Sequence, residues 1–146
     1  MPLIQVKYAA PQRQDKNLAA AIAAKTTALA ADVLHKDPKV TAVIVDEVAP
    51  ERWFCAGRSL AEHGLASFWL DIKITDSTNT KDEKAAFIAQ TFDAMSEILG
   101  RLHEESYVLV HDVHAYAYGF GGLTQEQRYI EAKRAPTSLR RQHVLA

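Results

Sequence analysis

The chain has 146 residues, 48% of them hydrophobic and 24% charged, which suits one domain or two small fused units with a core of ordinary size. Its formal net charge is −1 with histidine neutral, so no basic balance argues for nucleic acid or an anionic membrane as a partner. The single cysteine, Cys55, excludes an intrachain disulfide and a cysteine-rich metal site, and no apolar run approaches the ~20 residues that span a bilayer.

Taken in order, the chain opens on Leu3-Ile4-Gln5-Val6-Lys7-Tyr8, whose apolar/polar alternation predicts a strand. Ala9 to Gln14 is a loop with Pro11 and Arg13, and Asp15 is a candidate N-cap. Leu18, Ile22, Leu29 and Val33 recur at helical spacing, and Pro38 stops the helix near His35. The apolar run from Leu18 and the Ala28-Leu29-Ala30 triplet resemble parts of a signal peptide, but Asp15 and Lys25 interrupt that pattern, and a cytoplasmic location is expected. The β-branched stretch Val40 to Val48 predicts a second strand, followed by a compact aromatic turn, Arg52 to Gly57, and a polar connector, Ser59 to Gly64.

The pattern then repeats. Phe68 to Ile74 predicts a strand, Thr80-Lys81-Asp82-Glu83 a capping box, and Phe87, Ile88, Thr91, Met95, Ile98, Leu99 and Leu102 a helical stripe. Tyr107 to Val113 predicts a strand, Tyr118 to Gly122 an aromatic and glycine turn, and Thr124 to Gln127 the start of a short helix to about Arg134, ended by Pro136. Arg140, Arg141 and His143 form a solvated end. Val43 to Val48 aligns with Val108 to Val113 at a shift of 65, which also sets Arg52 to Gly57 on Ala117 to Gly122. The unit is strand–helix–strand–turn, used twice, and each crossover makes its two strands parallel. The predicted organisation is a first unit over 1–64, a second over 65–123 and a C-terminal helix and tail over 124–146, packed as one compact α/β domain. Its tandem βαβ units share a four-stranded sheet with both helices on one face. The other face is left bare, so homo-oligomerisation is expected.

Position 2 is proline. If Met1 is trimmed, Pro2 offers a secondary amine of stiff geometry, and an amine kept neutral near pH 7 by burial is a competent general base. Proline is equally at home as a bystander at the first residue of a strand.

The duplicated βαβ order, Pro2 directly after the initiator, Arg13 in the first loop and the paired aromatic turns together resemble the tautomerase superfamily over residues 2 to 123. Fused members of its 4-oxalocrotonate tautomerase branch are the nearest in pattern. The resemblance implies a cofactor-free keto–enol tautomerase acting on small 2-hydroxy-dienoic or 2-keto acids, assembled as a trimer. It implies Pro2 as the base, Arg13 as the fork that grips a substrate carboxylate, and Trp53 and Tyr118 as aromatic walls of the pocket. The family's second arginine falls on Ala42 in one half and Tyr107 in the other; the Tyr107 hydroxyl can donate a hydrogen bond, and Lys39 and Arg52 are candidate substitutes. The second half has Phe68 near the proline position and no free amine, so one working site per chain is expected. The alternative is a non-catalytic member: a small-ligand-binding module of ferredoxin-like order, or a degenerate tautomerase kept for structure or interaction. No metal set is evident, since His111 and His114 are three apart on a strand end and point to opposite faces; Cys55 reads as a packing residue, and no cofactor is expected.

Overall fold

The computed structural model describes residues 1–134 except Gln14 and Lys16. The expected helix stop at Pro136 and the end carrying Arg140, Arg141 and His143 lie outside the described residues.

Strand β1 (Leu3–Ala9) runs through helix α1 (Leu18–Leu34) into β2 (Ala42–Glu47). A two-stranded hairpin, β3 (Phe54–Cys55) and β4 (Arg58–Ser59), and a one-turn helix, α2 (Leu60–His63), follow. The order recurs as β5 (Ser67–Thr75), α3 (Lys81–Leu99), β6 (Tyr107–Val113), a hairpin of β7 (Gly119–Phe120) and β8 (Leu123–Thr124), and α4 (Gln125–Arg134). Both aromatic turns are therefore hairpins, and the stretch expected to be a polar connector holds β4 and α2. Ser59 caps α2 by accepting from the Glu62 N–H, and the left-handed Gly64 ends it.

The four long strands form one sheet in the order β2-β1-β5-β6. β1 pairs parallel with β2, β5 pairs parallel with β6, and β1 and β5 meet antiparallel in the centre, with Ile4 opposite Ile72 and Tyr8 opposite Phe68. One sheet face is apolar: Ile4, Val6, Phe68, Leu70, Ile72 and Ile74 are fully or nearly fully buried beneath Ile22 and Leu34 of α1 and Phe87, Met95 and Leu99 of α3. Removing a side chain the size of Phe87 from such a core costs about 3–5 kcal/mol.

Local chemistry sets the helix ends. Thr80 and Glu83 form the expected capping box on α3, each side chain bonded to the other's backbone N–H. Thr124 and Gln127 repeat the device at the start of α4. α1 stops where His35 turns left-handed. Its start differs from expectation: the Asp15 carboxylate accepts from the Asn17 N–H in a local turn, and Asn17 holds the cap position without a side-chain bond. β2 is shorter than its β-branched run, because Val40 closes a 3-10 turn opened by Pro38.

Among the described residues the other sheet face carries no helix. Leu3, Ile44, Tyr107 and Leu109 are exposed there, beside a Lys73–Asp71 ion pair of 2.7 Å in which Asp71 itself is buried. No helix among the described residues is long and apolar enough to cross a membrane.

Candidate active site

The antiparallel meeting of β1 and β5 decides what gathers around Pro2. A strand parallel to β1 delivers its following hairpin to the far end of β1, which is the head of β5. Each unit's hairpin therefore covers the head of the other unit's first strand. Pro2, buried just before β1, faces a cavity of about 500 Å³ whose wall comes from Tyr118, Gly119 and Phe120 of the second unit. Lys39, Val40 and Ala42 close the side toward β2. The volume suits a small organic ligand.

Each wall is fixed by identifiable bonds. The Pro2 carbonyl accepts from the Ala42 N–H at 3.2 Å, joining the head of β1 to β2. Asp37 accepts from the Lys39 N–H at 2.9 Å and holds the turn that presents Lys39 at the rim. Gly119 cannot be replaced without rebuilding the hairpin, since a Cβ there would lie 1.9 Å from the Leu123 carbonyl oxygen. Arg128 of α4 pins the hairpin from behind: its guanidinium lies 3.6 Å from the Phe120 ring centre and donates to the Phe120 carbonyl.

Three polar features define what the cavity can bind. The amino group of Met1 falls from 8.0 to about 6, chiefly because burial disfavours its charged form, with the Lys36 ammonium adding to this and Asp37 opposing it. The Tyr118 hydroxyl lies 2.9 Å from the Thr75 hydroxyl and donates to the Met1 carbonyl at 3.4 Å. Burial raises its pKa, against the Thr75 bond, so it stays a neutral donor. Gln125 is 9% exposed and lines the cavity, and its Nε2 has no hydrogen-bond partner among the described residues. An amide donor facing the cavity can donate to whatever fills it, water or a ligand acceptor.

Of the residues singled out from sequence, Pro2, Tyr118 and the candidate substitute Lys39 meet at this cavity. Arg13 does not. It follows the far end of β1, roughly 20 Å from its head at the usual strand rise. There its Nη1 donates to the Glu97 and Ile98 carbonyls at 2.7 Å each, closing the C-terminus of α3. Trp53 packs at that same far end, with Ala9, Cys55 and Leu60. Tyr107 stands on the bare sheet face, 52% exposed, and donates to Glu105 at 3.1 Å. Arg52, in a 3-10 turn before the first hairpin, is likewise absent from the cavity lining. The shared cause is the exchange of hairpins, which sends the first unit's turn away from Pro2. Gln125 and Arg128 escaped sequence reasoning, because both act through the start of α4 rather than through a motif.

With this geometry in view, the sequence matches the family described as "Tautomerase enzyme" twice, over residues 2–63 and 69–128. The chain belongs to the tautomerase family, as a fusion of two of its units. No curated protein matches the sequence. Among solved structures, it is similar to a fused 4-OT wild-type symmetric trimer, at 20% identity over 85% of this chain and 96% of that one, with a TM-score of 0.72. It is also similar to N1, a member of the cis-3-chloroacrylic acid dehalogenase family, at 20% identity over 95% and 97% of the two chains, with a TM-score of 0.67. A macrophage migration inhibitory factor-like protein from Entamoeba histolytica shares the fold at 15% identity over 84% and 97%, with a TM-score of 0.69.

Proposed function

We propose that the chain is a cofactor-free keto–enol tautomerase for small 2-hydroxy-dienoic or 2-keto acids, with Pro2, freed of Met1, as general base. The observation that carries this reading is Pro2 itself, buried at the head of β1 against a cavity of about 500 Å³, where burial and Lys36 lower the neighbouring Met1 amine from 8.0 to about 6. A secondary amine at Pro2 meets the same kind of desolvation, which disfavours its charged form and draws its pKa down, as a general base requires. The Pro2 nitrogen takes the proton of the enol hydroxyl. The O–C bond becomes the carbonyl, the C=C electron pair moves to carbon, and the prolinium returns the proton there. Atoms and charge balance, and no oxidant or metal enters.

The remaining roles follow from the walls. Lys39, at the rim, stands in for the family's second arginine and is the cation within one chain that can meet a substrate oxygen or carboxylate there. The Gln125 amide donates to a substrate oxygen. The Tyr118 hydroxyl, released from the Met1 carbonyl, becomes a second donor. Leu3, Val40 and Phe120 keep the rest apolar, which favours a mono-acid with an apolar tail. Arg13 and Tyr107 reach a site only from a neighbouring copy. The fused 4-OT neighbour is a trimer, and the bare face with Leu3, Ile44, Tyr107 and Leu109 exposed supports a trimer here. Sedimentation equilibrium at micromolar protein tests it, and a stable monomer refutes it.

The decisive experiment compares chains beginning at Pro2 with chains carrying an uncleaved residue before it, each verified by intact mass. Ketonisation of 2-hydroxymuconate and of the enol of phenylpyruvate is measured for both. Equal activity of the two forms removes Pro2 as base. Inactivity of both on every enol acid tried favours the ligand-binding or degenerate alternative.

A further inference from the structure

We propose that Cys55, His103 and Glu105 form a binding site for one borderline divalent cation of the zinc class at the head of β5. One ligand atom from each residue lies within 4.8 Å of the other two. Cys55 comes from the first hairpin, and His103 and Glu105 from the turn between α3 and β6. The internal shift of 65 sets Cys55 on Phe120 and Glu105 on Val40, and both of those counterparts line the Pro2 cavity. Where the head of β1 has Phe120 and Val40, the head of β5 has thiol and carboxylate at the equivalent places, with the His103 imidazole beside them.

The donor set selects the metal class. Magnesium and calcium take oxygen ligands, whereas a mixed sulfur, nitrogen and oxygen set suits zinc or cobalt. In tetrahedral coordination such donors sit roughly 3.3–3.6 Å apart, so closing from within 4.8 Å needs at most about 1.5 Å between any two of them, and the exposed Glu105 side chain has room to move. A thiolate, a carboxylate and a neutral imidazole bring two negative charges, which cancel those of the ion in a half-buried place. Three protein ligands leave a fourth position for water.

Supporting contacts are already present. Tyr107 donates its hydroxyl to one Glu105 oxygen at 3.1 Å and orients the carboxylate. The His63 Nε2–H bonds the Cys55 carbonyl at 2.9 Å, and the His63 ring packs edge-on against His103 with centroids 4.9 Å apart. The His103 Nδ1 accepts the Glu105 N–H at 3.0 Å, and ligation through that nitrogen exchanges this exposed bond for the metal bond. The Cys55 thiol proton leaves for solvent when the ion binds. The ion ties the first hairpin to the chain entering β6.

The test titrates the intact chain with Co²⁺, then with Zn²⁺ in competition. A saturable near-ultraviolet thiolate-to-cobalt band with tetrahedral visible bands at one equivalent is expected, bleached by zinc. Cys55→Ser removes the near-ultraviolet band. Since Cys55 is buried and that variant can lose its fold, Glu105→Gln provides the second arm. Its side chain is exposed, and it should weaken cobalt by more than the roughly 10- to 100-fold that loss of an outer contact costs. His111→Ala, on the bare face, leaves binding unchanged. Absence of the thiolate band at one equivalent, unchanged affinity in Glu105→Gln, or loss of binding in His111→Ala overturns the assignment. None of these results bears on Pro2.

Discussion

The heads of β1 and β5 have the same backbone plan and opposite outcomes. At each, the hairpin of the other unit folds over the strand head, and the turn is closed by matching bonds: Leu60 N–H to the Trp53 carbonyl at 2.9 Å, and Gln125 N–H to the Tyr118 carbonyl at 3.0 Å. At β1 the result is an open cavity of about 500 Å³. At β5 the chain arrives from Leu65 and Ala66, and Ala66 is tied on both sides, to Arg101 at 2.9 Å and to His103 at 2.8 Å. Ser67 then fills the strand head, bonded to the Glu105 carbonyl and beside the Ser106 hydroxyl. The difference lies in connectivity before it lies in residue choice: a strand preceded by more chain has a peptide where its counterpart can present an amine.

The largest test of that contrast is at Pro2. An uncleaved residue before it should cost roughly 10²–10⁴-fold in kcat/KM, the usual worth of a positioned base. In the trimmed protein the acid limb of kcat/KM should fall below the ordinary 8.0 of an amino terminus, because burial at the head of β1 resists protonation, as it does for the Met1 amine. The sign is definite: activity is full above the limb and lost below it. A limb near 8 would show that the cavity does not perturb the amine.

Next in size is the cation at the rim. Lys39→Ala should lower kcat/KM by roughly 10- to 150-fold, the kinetic equivalent of a charged hydrogen bond of about 1.5–3 kcal/mol. Glu104→Ala, its counterpart at the second head, should change nothing, and equal effects at the two positions would erase the functional asymmetry. Gln125→Leu comes third. Removing an unpaired buried donor should leave stability level or raise it by about 1 kcal/mol while KM rises severalfold. Thermal melting and steady-state kinetics separate the two. Smallest is Thr80→Ala, which should cost about 1 kcal/mol of stability through the lost cap, with kcat/KM untouched.

Much of this architecture was legible in the sequence. Periodicity marked the four long strands and both long helices, and Thr80 with Glu83 marked a helix start, because these signals act within a few residues. The site was legible only in part. Pro2 and Tyr118 stood out by position and by repeat, and Lys39 was a candidate without a place. Within one chain Arg13 and Trp53 lie at the other end of β1 from Pro2, since a repeat in sequence does not say whether β1 and β5 meet parallel or antiparallel. That one pairing reverses which hairpin meets which strand. Gln125 carried no signal at all, because its burial depends on where α4 begins.

The bond between the Tyr118 hydroxyl and the Met1 carbonyl joins groups 117 residues apart in sequence. During synthesis at roughly 5–20 residues per second, the head of β1 therefore stands without its wall for several seconds, until the second hairpin has left the ribosome. Any enzyme that trims the first residue has that interval of open access. Once the hairpin docks, the same contact covers the carbonyl of the bond to be cut, so on the proposed role of Pro2 the trimming belongs to the interval before the second hairpin folds.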